Sequence, residues 1–342
     1  MAWTDRYVTA GAAGGGDGSS GNPWTLAEAI SNAAAGDRVN IQAGIYASTT
    51  TTRTFATVGT TTAPVWWRGY KTAIGDMDSA SHGVFASGTE IPALTFTTGR
   101  MSVSQPHQIF SNLDIQSAAT AGSALGASGV NTRYHRLRVQ NTGTNALSRA
   151  VLAGSNNNQT FTRCWFKATT SASSVVQAAT HVEFDSCVFD GGSVGLDITG
   201  NIPFVRRCIF DSPSSHAITC ASSSLGEFLD CIFYNTGAGA DGIRFTALGS
   251  NHWIIKDCIF SMIGGYAINN ASGTNTNFVK RIGNAYHAIT SSYEFGFGDS
   301  PALDEVPLSA SPFSDPAGDN FNINNIAGGG AVLRAIAFSS PR

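Results

Sequence analysis

Apolar and polar positions alternate over three to five residues at a time along most of this chain, and the alternating runs return at a nearly fixed interval. Five of them read Arg163-Cys164-Trp165-Phe166, Ser186-Cys187-Val188-Phe189, Arg207-Cys208-Ile209-Phe210, Asp230-Cys231-Ile232-Phe233 and Asp257-Cys258-Ile259-Phe260. Two earlier ones, Asn112-Leu113-Asp114-Ile115 and Arg136-Leu137-Arg138-Val139, have leucine in place of cysteine. From Leu113 through Leu137 and the five cysteines to Ile282 the steps are 24, 27, 23, 21, 23, 27 and 24 residues. A period of this size marks stacked supersecondary units that bury their apolar faces on one another.

Within one period, the cysteine position and the residue two further on share one face of a strand. Three residues before sits another apolar column: Phe110, Tyr134, Phe161, Phe184, Val205, Phe228, Ile255 and Val279. An odd offset would put the two columns on opposite faces, and strict alternation from Val205 would drive Arg207 inward at high cost. A bend must therefore separate two strands. A third strand follows, as in Gly195-Leu196-Asp197-Ile198, His216-Ala217-Ile218, Gly242-Ile243-Arg244-Phe245 and Tyr266-Ala267-Ile268. Three short strands per period without a helical stretch describe an all-β parallel β-helix, with rungs about 4.8 Å apart and an internal ladder of aromatic rings.

The ends read as caps. Thr25-Leu26-Ala27-Glu28 is a capping box opening a helix to about Ala35, with Leu26, Ile30, Ala33 and Ala34 as its apolar face. The Thr-rich stretch Thr49 to Thr62 reads as an edge strand or an inserted loop, and the period is lost beyond about Tyr293. The expected organisation is one domain, 1–342: cap and first rung over 1–48, coils over 49–292, and a C-terminal cap over 293–342.

Composition narrows the classes. The chain has 342 residues, 13% of them charged and 42% apolar, with net charge -3. No basic footprint suggests nucleic acid, and no run of about 18 apolar residues suggests a membrane span. The N-terminus shows no apolar signal core before Tyr7. Six cysteines would allow three disulfides, but Cys164, Cys187, Cys208, Cys231 and Cys258 hold equivalent inward positions and read as buried thiols.

Tyr7-Val8, the run Gly14 to Gly18, Asn22-Pro23-Trp24-Thr25-Leu26 and Ala35 to Tyr46 resemble the N-terminal signature of pectate-lyase-like right-handed β-helix proteins. The tail Ser311 to Ile323 with Gly328-Gly329-Gly330 is similar to the closing segment of the same group. The resemblance implies a right-handed coil. It leaves function open, because the group spans polysaccharide lyases, glycoside hydrolases, phage spikes, virion surface proteins and adhesins. A lyase would imply acidic calcium ligands on neighbouring rungs beside a Lys or Arg base, so calcium is the one cofactor considered, and only in that case; otherwise neither metal nor cofactor is expected.

Candidate chemistry is thin. Asp185, Asp190, Asp197 and Asp211 form the densest acidic group. Asp190 and Asp211 both follow the repeat cysteine by three residues, so they should be rung neighbours, a spacing that suits an acid/base pair in glycoside hydrolysis. Turn placement explains them better, since Lys167, Tyr234 and Ser261 hold the same phase in other rungs, and surface pairing explains Arg206 and Arg207 at least as well as a lyase base does. If the protein is an enzyme, the catalytic candidates are Asp190, Asp211, Asp185 and Arg207. The five histidines His135, His181, His216, His252 and His287 are scattered in phase. Trp66-Trp67 reads as core or as a sugar-stacking platform. Gly14 to Gly18 lacks the lysine of a phosphate loop.

The residues between Cys and Phe are Trp165, Val188, Ile209, Ile232 and Ile259. They should face outward as an apolar stripe, covered by a loop of the same chain or by a subunit interface. Resemblance to phage spikes implies side-by-side trimers meeting on it. The expectation from sequence is thus a non-enzymatic virion surface protein (spike, fibre or decoration) made in the host cytoplasm, trimeric, in contact with other virion proteins and binding glycans. The alternatives are a secreted polysaccharide lyase or glycoside hydrolase, and a bacterial adhesin.

Overall fold

The computed structural model describes residues 2–48, 52–78, 89–154, 158–169, 174–179, 181–200, 204–221, 226–248, 252–273, 279–297, 302–318 and 320–335. The chain divides into two compact units, Met1–Ala172 and Ser173–Arg342. Each is a parallel β-solenoid in which every turn contributes one strand to each of three sheets.

In the first unit the first sheet includes Asp37–Gln42, Val65–Tyr70, Gln108–Ser111, Arg133–His135 and Gln159–Thr162. The second includes Ile45–Ser48, Ala93–Phe96, Asp114–Ser117, Arg138–Asn141 and Trp165–Ala168. The third holds Arg53–Phe55, Met101–Val103, Gly122–Ala127 and Ser148–Ala153. In the second unit the Cys-x-Phe segments give the second-sheet strands Val188–Gly191, Ile209–Asp211, Ile232–Tyr234 and Ile259–Ile263, followed by Ala285–Ile289, all in parallel register. Its third sheet runs Ser174–Ala178, Val194–Ile198, His216–Cys220, Ile243–Phe245 and Ile268–Asn270.

The bend expected between the first and second strands is a single residue in left-handed conformation. Asn112, Arg136 and Arg163 adopt it in the first unit, and Ser186, Arg207, Asp230, Asp257 and Gly283 in the second, with φ between 53° and 63°. This conformation costs a non-glycine residue about 1–2 kcal/mol. The bend amide recovers part of that by donating to a carbonyl on the next turn, as from Arg136 to Thr162 and from Arg207 to Leu229, each at 2.9 Å. One left-handed residue rotates the chain so that both flanking strands point their apolar residues inward.

All six cysteines are free and buried. Burial pushes the Cys208, Cys220 and Cys258 thiols up, so they stay protonated and behave as small apolar groups. Inside the second unit Phe189, Phe210, Phe233, Phe260 and Tyr286 stack with centroids 4.5, 5.1, 4.6 and 5.6 Å apart.

The helix spans Leu26–Asn32 with the capping box formed: the Glu28 amide donates to Thr25 Oγ1 (3.2 Å) and the Thr25 amide to Glu28 Oε2 (2.8 Å). It stops before Ala35. Leu26, Ala29 and Ala33 are buried, whereas Ile30 is half-buried and Ala34, beyond the helix, is exposed. The Thr-rich stretch supplies both expected forms: Arg53–Phe55 is a strand and 56–64 a loop, while Thr49 to Thr51 lie outside the described residues. Trp67 is core, donating from its indole to Gln108 Oε1 at 2.9 Å. Trp66 is no open platform: the Arg68 guanidinium lies 4.9 Å above its ring and Trp3 packs against it at 5.6 Å.

The C-terminal segment corrects the reading of the stripe. An antiparallel hairpin, Phe313–Asp315 with Asn320–Ile323, and a short helix, Gly330–Ala335, fold back on the second sheet of the second unit. Phe313, Phe321, Ile323 and Leu333 cluster on Ile232, Ile259 and Ala285, with Ile209 at the margin. Ile232 and Ile259 are fully buried, each such side chain contributing about 1.5–3 kcal/mol. The chain's own tail covers these two positions. Trp165, Val188 and Ile209 remain half-buried, and Arg138 and Lys167 lie 4.8 and 5.4 Å from the Trp165 ring.

Candidate active site

The outer face of the third sheet in the second unit carries a row of interacting polar side chains. Register sets Gln177, Asp197, Thr219, Arg244 and Asn269 on successive turns. At the leading edge of this row His216 sits one turn from Asp241. The Asp241 carboxylate is buried and held by the Tyr266 amide (3.0 Å, Oδ1) and the Asn269 side chain (2.8 Å, Oδ2). The Asp241 amide donates to His216 Nδ1 at 3.0 Å, Asp241 Oδ2 lies 3.6 Å from the same nitrogen, and Arg244 Nη1 lies 3.0 Å from Nε2. A neutral imidazole accepts at one nitrogen only, so the Asp241 amide and the Arg244 guanidinium compete for that role.

Burial lowers the His216 pKa from its ordinary 6.5, Arg244 lowers it further, and Asp241 opposes both. The ring is therefore neutral at neutral pH, with Nε2 facing a guanidinium. Thr219 Oγ1, Arg244 Nε and Asn269 Oδ1 are buried without a partner among the described residues. Such orphaned groups are costly.

The four aspartates singled out from sequence do not converge. Asp190 and Asp211 are register neighbours as expected, on the second sheet. Asp185 ends a first-sheet strand and is held by the Arg207 guanidinium, whose Nε donates to Oδ1 at 2.9 Å. Arg207 and Ser186 hold the Asp185 carboxyl below the usual range against the upward pull of burial. Asp197 is on the third sheet and accepts from Gln177 at 3.0 Å. Asp185 and Arg207 are each other's partners, so neither serves as a free acid or base. Among the described residues, no group of three or more His, Cys, Asp or Glu is placed to hold a metal.

His216 and Asp241 escape sequence reasoning although the signal was present. Aligning the third strands on Ile218, Ile243 and Ile268 and reading two residues back gives His216, Asp241 and Tyr266 in one column. Histidines inspected singly look scattered.

A family model described as right handed beta helix region matches residues 148–293. The fold is a right-handed β-helix. Solved structures agree at low identity. A rhamnogalacturonan lyase is 12% identical with TM-score 0.52, covering 89% of this chain and 86% of that one. The pectate lyase Pel9A is 11% identical with TM-score 0.51, covering 95% and 90%. A mutant of the PL6 family alginate lyase AlyGC is 14% identical with TM-score 0.52, and the match covers 83% of this chain but 39% of that one. No curated protein matches the sequence. At these identities the likeness is one of fold.

Proposed function

We propose that this β-helix binds and cleaves an acidic polysaccharide by β-elimination on the third-sheet face of its second unit. The observation that supports this reading is the neutral His216 imidazole held between Asp241 and Arg244, beside three unpartnered buried polar atoms. In the reacting state the ring proton moves to Nδ1, facing the Asp241 carboxylate in place of the amide bond, and a sugar carboxylate that takes the Arg244 guanidinium releases His216 Nε2 toward the carbon alpha to that carboxylate. The imidazole accepts that carbon's proton, a C=C bond forms, the glycosidic C–O bond breaks, and solvent protonates the leaving oxygen. Asp241 stabilises the resulting imidazolium. Structures named alginate, pectate and rhamnogalacturonan lyase share the fold, which makes those polymers the first substrates to test.

Elimination leaves an unsaturated, ultraviolet-absorbing end, whereas hydrolysis leaves only new reducing ends. The expected result is absorbing product from the wild type and a loss of about 10²-fold or more in His216→Asn. Because the His216 pKa is lowered, the rate should hold below pH 6.5 and fall only on further acidification. Reducing ends without absorbance, or activity unchanged in His216→Asn, would sink the proposal.

The second reading is a non-enzymatic trimeric virion protein or adhesin. Trp165, Val188 and Ile209, half-buried and outward, are what favours it. Light scattering decides: a trimer that Val188→Asp with Ile209→Asp reduces to monomers supports it, and a wild-type monomer removes it.

A further inference from the structure

The first unit holds a groove of about 370 Å³ on the outer face of its first sheet, within the range of about 300–1,000 Å³ that ligand sites occupy. Its floor is Ile109, Arg133 and Thr160, in register on three successive turns. One rim is His107, Asn131 and Asn158, all in left-handed conformation (φ 55°, 52° and 64°) and spaced by the same 24 and 27 residues as Leu113, Leu137 and Cys164. Asn158 Nδ2 donates to Asn131 Oδ1 at 3.1 Å, so two of the three rim side chains form an amide pair. The other wall is Thr60, Thr61 and Pro64. It is held close by the Gly59 amide donating to Pro106 O at 3.2 Å. A Cβ on Gly59 would lie 2.2 Å from the His107 carbonyl oxygen, so glycine is what lets this wall approach.

Arg133 is exposed and, among the described residues, has no carboxylate within ion-pair distance. Arg38, Arg68, Arg207 and Arg281 all have one. We propose that this groove is a binding subsite for an anionic, hydroxyl-rich chain, a uronate-bearing oligosaccharide, whose carboxylate pairs with Arg133. The amides and threonine hydroxyls match sugar hydroxyls, and Ile109 with Pro64 matches the apolar face of a sugar ring. One cation among many neutral donors and acceptors suits a singly charged sugar carboxylate better than a phosphate. The choice of probe rests on the polymer reading above; the groove does not.

The test is calorimetric titration of the full chain, carrying His216→Asn to prevent turnover, with an oligogalacturonate, an uncharged malto-oligosaccharide of equal length, and inorganic phosphate. The oligogalacturonate should bind. Arg133→Ala should weaken it about tenfold or more, Arg133→Lys should keep part of the affinity, and Thr61→Trp should block the groove. Arg133 and Thr61 are exposed, so unchanged thermal unfolding checks the fold. Unaltered affinity in Arg133→Ala, equal binding of the neutral oligomer or phosphate, or no binding overturns the proposal. Cleavage with Arg133-independent binding removes the groove and leaves the elimination reading intact; Arg133-dependent binding without cleavage does the reverse.

Discussion

The two units fill the same kind of interior in opposite ways. In the first, the aromatic column runs along first-sheet strands, where Trp67, Phe110, Tyr134 and Phe161 stack at 6.2, 5.6 and 4.4 Å. In the second unit it runs along second-sheet strands, from Phe189 to Tyr286. The residue just after the bend follows suit. Where Leu113 and Leu137 occupy it, the residue two further on is Ile115 or Val139; where cysteine occupies it, from Cys164 to Cys258, the partner is phenylalanine. The sum is roughly constant, because a close-packed interior fixes volume rather than identity. The small thiol makes room for the ring, which accounts for cysteines that form no disulfide.

The largest effect should come from breaking the ring column. Phe210 stacks between Phe189 and Phe233 and is fully buried. Phe210→Ala should cost about 3–5 kcal/mol in thermal or denaturant unfolding. The same comparison is sharpened by exchanging partners. Cys208→Leu alone should overpack and cost about 1–3 kcal/mol, whereas Cys208→Leu with Phe210→Val, which recreates the Leu137-Val139 pair, should cost less than the two single changes added. A double-mutant cycle showing simple additivity would refute the volume trade.

Both units bury polar groups, in different arrangements. The first, which also buries Asp114 and Arg136, holds Gln108, which accepts from the Trp67 indole and donates to Phe55 O at 3.0 Å. The second holds a cluster of ionisable groups. Arg281 replaces the Ile255 position and Glu294 the Ile268 position one turn on. Arg281 is paired with Glu294, and Tyr286 donates to Glu305 at 3.2 Å. Burial above all, helped by Glu305 and opposed by Arg281, raises the Glu294 pKa from 4.5 to about 7. A carboxyl raised on folding binds its proton more tightly when folded. Its contribution is full below about pH 4.5 and is lost as pH rises through about 7. The second unit should therefore lose on the order of 2 kcal/mol between pH 4.5 and 8 from this group. Glu294→Gln should flatten that part of the pH profile of the melting temperature. An unchanged slope would show that Glu294 titrates normally.

Much of the coil was legible because stacking forces equal phase on equal roles. The three strands, the inward thiols, the capping box and the Asp190–Asp211 neighbourhood all follow from spacing alone. The tail's position was not legible: Phe313, Phe321, Ile323 and Leu333 fall outside the period, so nothing in their spacing says that they cover Ile232 and Ile259 rather than leave them to a second subunit. The candidate site was half legible. Its residues keep phase, but histidine and aspartate at strand edges look like ordinary turn residues until register sets them side by side.

The smallest effect separates the bends. Arg163 in the first unit and Arg207 in the second hold the same left-handed conformation, at φ 56° and 54°. Arg207 is tied to Asp185, whereas Arg163 is exposed and no carboxylate lies within ion-pair distance of it among the described residues. Replacing Arg163 with glycine removes the cost of a Cβ in that region, about 1–2 kcal/mol, and adds backbone entropy to the unfolded chain that offsets about 0.5–1 kcal/mol. The net expectation is a stabilisation of about 0.5 kcal/mol. At Arg207 the same change also loses a half-exposed ion pair contributing about 0–1 kcal/mol, so it should be neutral or slightly destabilising. Chemical denaturation of the two variants side by side checks the ordering. If Arg163→Gly is the more destabilising of the two, the bend tolerates side chains at no cost, and the glycine at Gly283 answers to its crowding instead, where a Cβ would lie 2.7 Å from Asp257 Oδ1.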